Sequence, residues 1–135
     1  MPSSEQQPEF FVDRNLGRHK VPQGLASAGF VVHTLASVYG SREETVTDVE
    51  WLTDAGAQHW IVLTKDDRIR WRKAEIEALA AARARVFCLT NANLRAEQQV
   101  AFFVTNKFRI LQRARKPGPY IYGVYENTLR RVWPP

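Results

Sequence analysis

The chain has 135 residues, 44% of them apolar and 24% charged, with a formal net charge of +5; it is sized for one domain with a single core, and global disorder is excluded. No apolar run approaches the roughly 18 residues that cross a bilayer, and Met1-Pro2-Ser3-Ser4-Glu5-Gln6-Gln7 has neither the basic nor the apolar section of a secretory signal. The single cysteine, Cys88, can make no internal disulfide and reads as a small buried hydrophobe, so a cytoplasmic protein without a membrane partner is expected.

Residues 1–8 are polar and read as a flexible N-terminus ahead of one domain over 9–135. Glu9-Phe10-Phe11-Val12 is a short buried strand that stops at Asp13, followed by the loop 14–18. A helix is predicted through Leu25 and Ala28, with Gly29 at its C-terminal end. Phe30 to Leu35 is β-branched and apolar, a second strand, and Tyr39 to Glu44 a polar loop. Thr47-Asp48-Val49-Glu50 has the S/T-x-x-E capping pattern, which starts a helix running to about Ala57.

Trp60 to Thr64 is the third strand, followed by the loop 65–68. Ala74 to Ala84 is helical, with Ile76, Leu79 and Ala80 as its inward stripe. Val86 to Thr90 is a fourth strand, ending at Asn91. A long basic helix is predicted over Leu94–Arg115 with Val100, Phe103, Val104, Phe108 and Leu111 on one stripe, stopped by Pro117-Gly118-Pro119. Tyr120 to Tyr125 is a late strand, expected at a sheet edge. Strand alternating with helix predicts an α/β fold: three layers, with helices on both faces of a central, mainly parallel sheet.

Carboxylates recur at the ends of these runs. Asp13 follows the first strand, Asp48 and Glu50 stand in the first turn of a helix, and Asp66 and Asp67 follow the third strand. Parallel strands would bring them to one carboxyl edge, where open α/β sheets bind ligands. Crowded carboxylates raise one another's pKa unless a cation lies between them, and hard oxygen donors select Mg²⁺ or Mn²⁺. Each acid also has a plainer reading: Asp13 as a turn residue, Asp48 and Glu50 as partners of the helix dipole, with Glu50 completing the capping box. Of the last pair, Asp66 lies nearer the strand end. Thr64 can orient a carboxylate, Lys65 can meet phosphate charge, and Asn91 ends the next strand in the equivalent place.

Such a cluster suits metal-assisted phosphodiester hydrolysis. The competing chemistries lack their signatures: there is no phosphate-binding G-x-x-x-x-G-K-[ST], no G-x-G-x-x-G, no G-x-S-x-G, and His19, His33 and His59 lack zinc spacing. Residues 1–94 carry 11 Lys+Arg against 12 Asp+Glu, a balance of −1, whereas residues 95–135 carry 8 against 2, a balance of +6. A basic block beside an acidic cluster fits a nucleic-acid polyanion, and Arg109, Arg113 and Arg115 are the candidates to line its path. A solvated helix face or a surface for an acidic protein explains the same block.

The three blocks Phe11-Val12-Asp13-Arg14-Asn15-Leu16-Gly17, Thr47-Asp48-Val49-Glu50-Trp51-Leu52 and Ile61-Val62-Leu63-Thr64-Lys65-Asp66-Asp67 resemble, in this order, the PIN-like nucleases, and among them the VapC-type toxins. The resemblance covers about residues 9–91. It implies a PIN fold and a Mg²⁺- or Mn²⁺-dependent endoribonuclease that is silenced by a cognate antitoxin and often pairs as a homodimer. It places Asp13 as the first family acid, Asp48 or Glu50 as the second, and Asp66 or Asp67 as the third. Asn15 and Arg18 match the loop that meets substrate. Asn91 stands where a fourth acid is common, a departure that bears on a second metal. The alternative is a noncatalytic PIN-like module that binds RNA or protein through a degenerate site; a phosphatase or DNA nuclease could use the same acids.

Overall fold

Residues 7–135 are described by the structure, a computed structural model of the chain; most of the expected flexible N-terminus, residues 1–6, lies outside the described residues. The apolar runs form strands because β-branched and aromatic side chains fit a pleated surface covered on both sides. β1 (Glu9–Val12), β2 (Val31–Thr34), β3 (Ile61–Thr64), β4 (Arg85–Leu89), β5 (Tyr120–Val124) and β6 (Leu129–Trp133) make one six-stranded sheet in the order β2-β1-β3-β4-β5-β6. β6 alone runs antiparallel. The helices are α1 (Lys20–Ser27), α2 (Leu35–Tyr39), α3 (Asp48–Ala57), α4 (Lys73–Ala81), α5 (Ala96–Thr105) and α6 (Lys107–Ala114).

Alternation along each strand feeds two cores. Phe10, Val12, Ile61, Leu63, Phe87 and Leu89 pack with α1, α5 and α6 through Leu25, Phe103 and Ile110. Phe11, Val62, Val86 and Cys88 face the other way, against Trp51, Leu52 and Leu79 of α3 and α4. The result is the predicted three-layer α/β/α arrangement around a mostly parallel sheet. Cys88 is 2% exposed, as a buried hydrophobe should be. Gly29 ends α1 at φ 92°, in the left-handed region that spares glycine alone a steric cost, and Phe30 N–H closes back on Leu25 at 3.0 Å.

Several local expectations are corrected. The second strand stops at Thr34, because Thr34 and Ser37 cap each other and start α2 inside the expected strand and loop. At α3 the capping is one-sided: the Thr47 hydroxyl accepts from Glu50 N–H at 3.1 Å, but the Glu50 carboxylate goes to Arg42 at 2.9 Å. In α4 the inward alanine is Ala78, and Ala80 faces solvent.

The long basic helix is two helices. Asn106, fully buried, donates its amide to Phe102 O at 2.9 Å and to Tyr125 O at 2.7 Å, and the helix restarts from it in a shifted phase. Ile110 therefore turns inward, while Val104 and Phe108 are 40% and 71% exposed. β5 is an interior strand, not an edge: β6 covers it, with exposed Arg130 and Arg131, charges that discourage pairing at a sheet edge.

Candidate active site

Parallel pairing brings the ends of β1, β3 and β4 to one edge of the sheet. Val12 lies opposite Leu63, and the next N–H, that of Asp13, donates to Leu63 O at 3.0 Å, which sets Asp13 beside Thr64. Both are buried, at 4% and 0% exposure. The Thr64 hydroxyl is 2.8 Å from Asp13 Oδ2 and 3.3 Å from Asn15 Oδ1. Its single proton goes to the carboxylate, the nearer and charged acceptor. The same oxygen accepts from Asp66 N–H at 3.0 Å, and Asn15 Oδ1 accepts from Lys65 N–H at 3.3 Å. Thr64 and Asn15 thus lock the loop after β3 onto the loop after β1.

Asp48 begins α3, and its Oδ1 accepts from the indole N–H of buried Trp51 at 2.9 Å, one helical turn on. Arg14 donates to Val46 O at 2.6 Å and to Glu43 O at 3.1 Å, tying the segment that enters α3 to the loop carrying Asp13. Asp66 accepts from Arg68 N–H at 3.2 Å and is ion-paired with Arg72.

The Asp13 carboxyl is raised from 3.8 to about 6, chiefly because burial penalises its charge. The Thr64 hydrogen bond opposes this, and the nearby charges of Asp48 and Asp66 add to it. Asp48 and Asp66 are thus the acids whose charge the fold brings within reach of Asp13. Asp67 is exposed and turns to a neighbouring cavity lined by Arg70, Cys88 and Thr90. Burial, then Asp67, Asp66 and Asp13, push the Cys88 thiol up, so this cavity opens beside the same charges.

Other sequence candidates have different surroundings. Glu50 is spent on Arg42, and Arg18 is ion-paired with Glu43. Asn91, exposed, accepts from Asn93 N–H at 2.9 Å in a local turn. Lys65 is half-buried. Arg109 stands near the carboxyl edge, 3.4 Å from Asn106 Oδ1. α6 then descends to the opposite edge, where Ala114 O accepts from Arg85 at the start of β4. Arg113 lies along that descent with its guanidinium 5.8 Å over the Tyr122 ring, so the fold does not gather it with Asp13. Trp51, Arg72 and Arg70 were missed by the sequence reading. The i, i+3 spacing from Asp48 to Trp51 was a usable signal; nothing local pairs Asp66 with Arg72.

A family model described as "PIN like domain" matches residues 8–91, more than half of the chain. The chain belongs to the PIN-like family. The matched span holds all the acids above and stops before α5. This PIN-like chain is also 37% identical over 123 residues to a protein of Mycobacterium tuberculosis (strain ATCC 25618 / H37Rv) named "Putative ribonuclease VapC45". That alignment covers 90% of this chain and 89% of the relative, so the likeness extends past the family match into the C-terminal elements. No solved structure matches the chain.

Whether the residues suit a divalent cation is a question of donors and charge. The donors are carboxylate oxygens, the hard ligands Mg²⁺ and Mn²⁺ prefer. Asp13 is buried next to two further negative charges, an arrangement that a cation relieves. Among the described residues no three His, Cys, Asp or Glu side chains are close enough to enclose an ion. The two findings are compatible: the charges of Asp48 and Asp66 reach Asp13 across a gap, with Asp48 held by Trp51 and Asp66 by Arg72. The donor set fits the cation by its chemistry, and the carboxylate of Asp66 is the one already engaged by a cationic side chain, that of Arg72.

Proposed function

We propose that this chain is the toxin of a VapC-type toxin–antitoxin pair, a divalent-metal-dependent endoribonuclease of the cytoplasm. The observation that carries the reading is Asp13, buried at the carboxyl edge with Asp48 and Asp66 beside it. The "ribonuclease VapC45" in the name of the 37% identical relative supports the same activity and, through the VapC designation, a cognate antitoxin as partner.

Asp13, Asp48 and Asp66 are the residues that would hold Mg²⁺ or Mn²⁺. When bound, such a cation makes water more acidic at neutral pH and offsets charge at a departing oxygen. Thr64 fixes Oδ2 of Asp13 and the Arg14 backbone N–H also meets the carboxylate, which would coordinate through its remaining lone pairs. Asn15 keeps the two loops in register, and Trp51 holds Asp48 through a bond that uses one oxygen only. Lys65 and Arg109 stand at the same edge as candidates for phosphate contacts; Asp67 faces the neighbouring cavity, and Glu50, Arg18, Asn91 and Arg113 take more distant or structural roles in this reading. Pairing as a homodimer is part of the proposal.

The test is cleavage of total RNA with Mn²⁺ or Mg²⁺ by wild type and by Asp13→Ala. Cleavage that needs the ion and vanishes in the variant supports the reading; equal activity in both, or none in either, sinks it. The Arg72 ion pair on Asp66 is the observation that favours a noncatalytic RNA- or protein-binding module instead. That module would bind RNA and leave it intact.

A further inference from the structure

The cavity beside the acids is not explained by metal binding. It holds about 120 Å³ between the ends of β4 and β5 and the turn after β3, and its wall includes Asp67, Arg70, Cys88, Thr90, Gly123 and Tyr125. Cys88 pairs with Thr64 across the sheet. Adjacent strands lie about 4.8 Å apart, so the cavity wall is one strand spacing from the residue that holds Asp13.

Its polar equipment is specific. Arg70 Nε is shielded from solvent and has no hydrogen-bond acceptor among the described residues. A buried donor without a partner is costly, and Arg70 as a whole stands in the cavity wall with further guanidinium N–H groups to offer an acceptor. The guanidinium lies 4.8 Å over the Trp71 ring. Asp67 adds a carboxylate, an acceptor-only group, to the same opening. Space is preserved by Gly123, where a Cβ would come within 2.9 Å of Thr90 Cγ2, and the Tyr125 ring supplies an aromatic wall.

An acceptor-seeking guanidinium and a donor-seeking carboxylate beside an aromatic ring match the edge and face of a nucleobase. Guanine alone among the four RNA bases offers a carboxylate two adjacent N–H donors, N1 and N2, with the O6 acceptor on the same edge. We propose that this cavity receives one unpaired guanine of the RNA, donating N1–H and N2–H to Asp67 and accepting at O6 from Arg70, next to the phosphate to be cut. The inference rests on the ribonuclease reading for the position of that phosphate, and on the cavity's own residues for the base.

The experiment measures binding of short single-stranded RNAs that differ at one base, guanine or adenine, to the full chain carrying Asp13→Asn, in the presence of Mn²⁺. The guanine RNA is expected to bind about tenfold more tightly, and both Arg70→Gln and Thr90→Tyr, which fills the cavity, are expected to abolish the difference. Equal affinities, or a preference that both variants retain, overturn the proposal. Sequencing the ends cut by the wild-type protein separates the two ideas. Guanine-selective binding with no cleavage rejects the ribonuclease and keeps the cavity; cleavage without base preference rejects the cavity and keeps the ribonuclease.

Discussion

Thr64 and Asp13 lie 51 residues apart, and the buried hydroxyl of the first donates to the carboxylate of the second at 2.8 Å. This contact fixes the orientation of the least solvated acid in the molecule's candidate active site and is the main influence opposing the rise in its pKa.

Replacing Thr64 by valine keeps the volume and removes the donor. The lost hydrogen bond to a charged group is worth about 1.5–3 kcal/mol. We expect Thr64→Val to raise the Asp13 pKa further, to weaken Mn²⁺ binding by roughly tenfold or more, and to lower cleavage in step. Titration calorimetry with Mn²⁺ checks it, and unchanged affinity would show that Thr64 only fills space.

Asp13 makes the ion-free protein less stable at neutral pH. Its folded pKa of about 6 lies above the ordinary 3.8, so the folded state holds the proton more tightly than the unfolded chain does. The stability linked to that proton is complete below about pH 4, falls as pH rises through 6, and is absent above. Asp13→Asn should therefore stabilise the ion-free protein at pH 7.5, by about 3 kcal/mol at most. The gain should shrink toward pH 4. Urea denaturation at both pH values gives the answer; a variant less stable than wild type at pH 7.5 contradicts it.

In the proposed site Arg72 would compete with a cation for Asp66, its ion-pair partner. Arg72 is exposed although Asp66 is half-buried, so solvent screens the pair and its own worth is small, about 0–1 kcal/mol. Arg72→Gln should bind Mn²⁺ a few-fold more tightly and change thermal stability little. Weaker binding would mean that Arg72 positions Asp66 for the ion.

Asn106 is buried and bridges the helix break to the end of β5. Asn106→Ala leaves the Phe102 and Tyr125 carbonyls without this donor and opens a small void. The expected cost is about 2–4 kcal/mol, read as a lower denaturation midpoint. A loss below about 0.5 kcal/mol would mean that the break is set by the flanking residues alone.

Local pattern was enough to determine the layers of the fold. β1, β3 and β4 are continuous apolar runs because parallel strands are covered on both faces, and Thr47 begins α3 because a hydroxyl there satisfies a free N–H. With strands and helices alternating, the carboxyl-edge positions of Asp13 and Asp66 followed from where the apolar runs stop. The rest depended on contacts between residues far apart in the chain, which leave no period in the sequence. The helix break at Asn106 needs a carbonyl from Tyr125, and β5 is interior only because β6, rich in arginine, folds back on it. Likewise Asp66 and Asp67 are chemically alike and adjacent, yet one lies within reach of Asp13 and the other opens onto a cavity. That division was decided in three dimensions: the Thr64 hydroxyl, tied to Asp13 from 51 residues away, also takes the Asp66 N–H and holds Asp66 at the same edge.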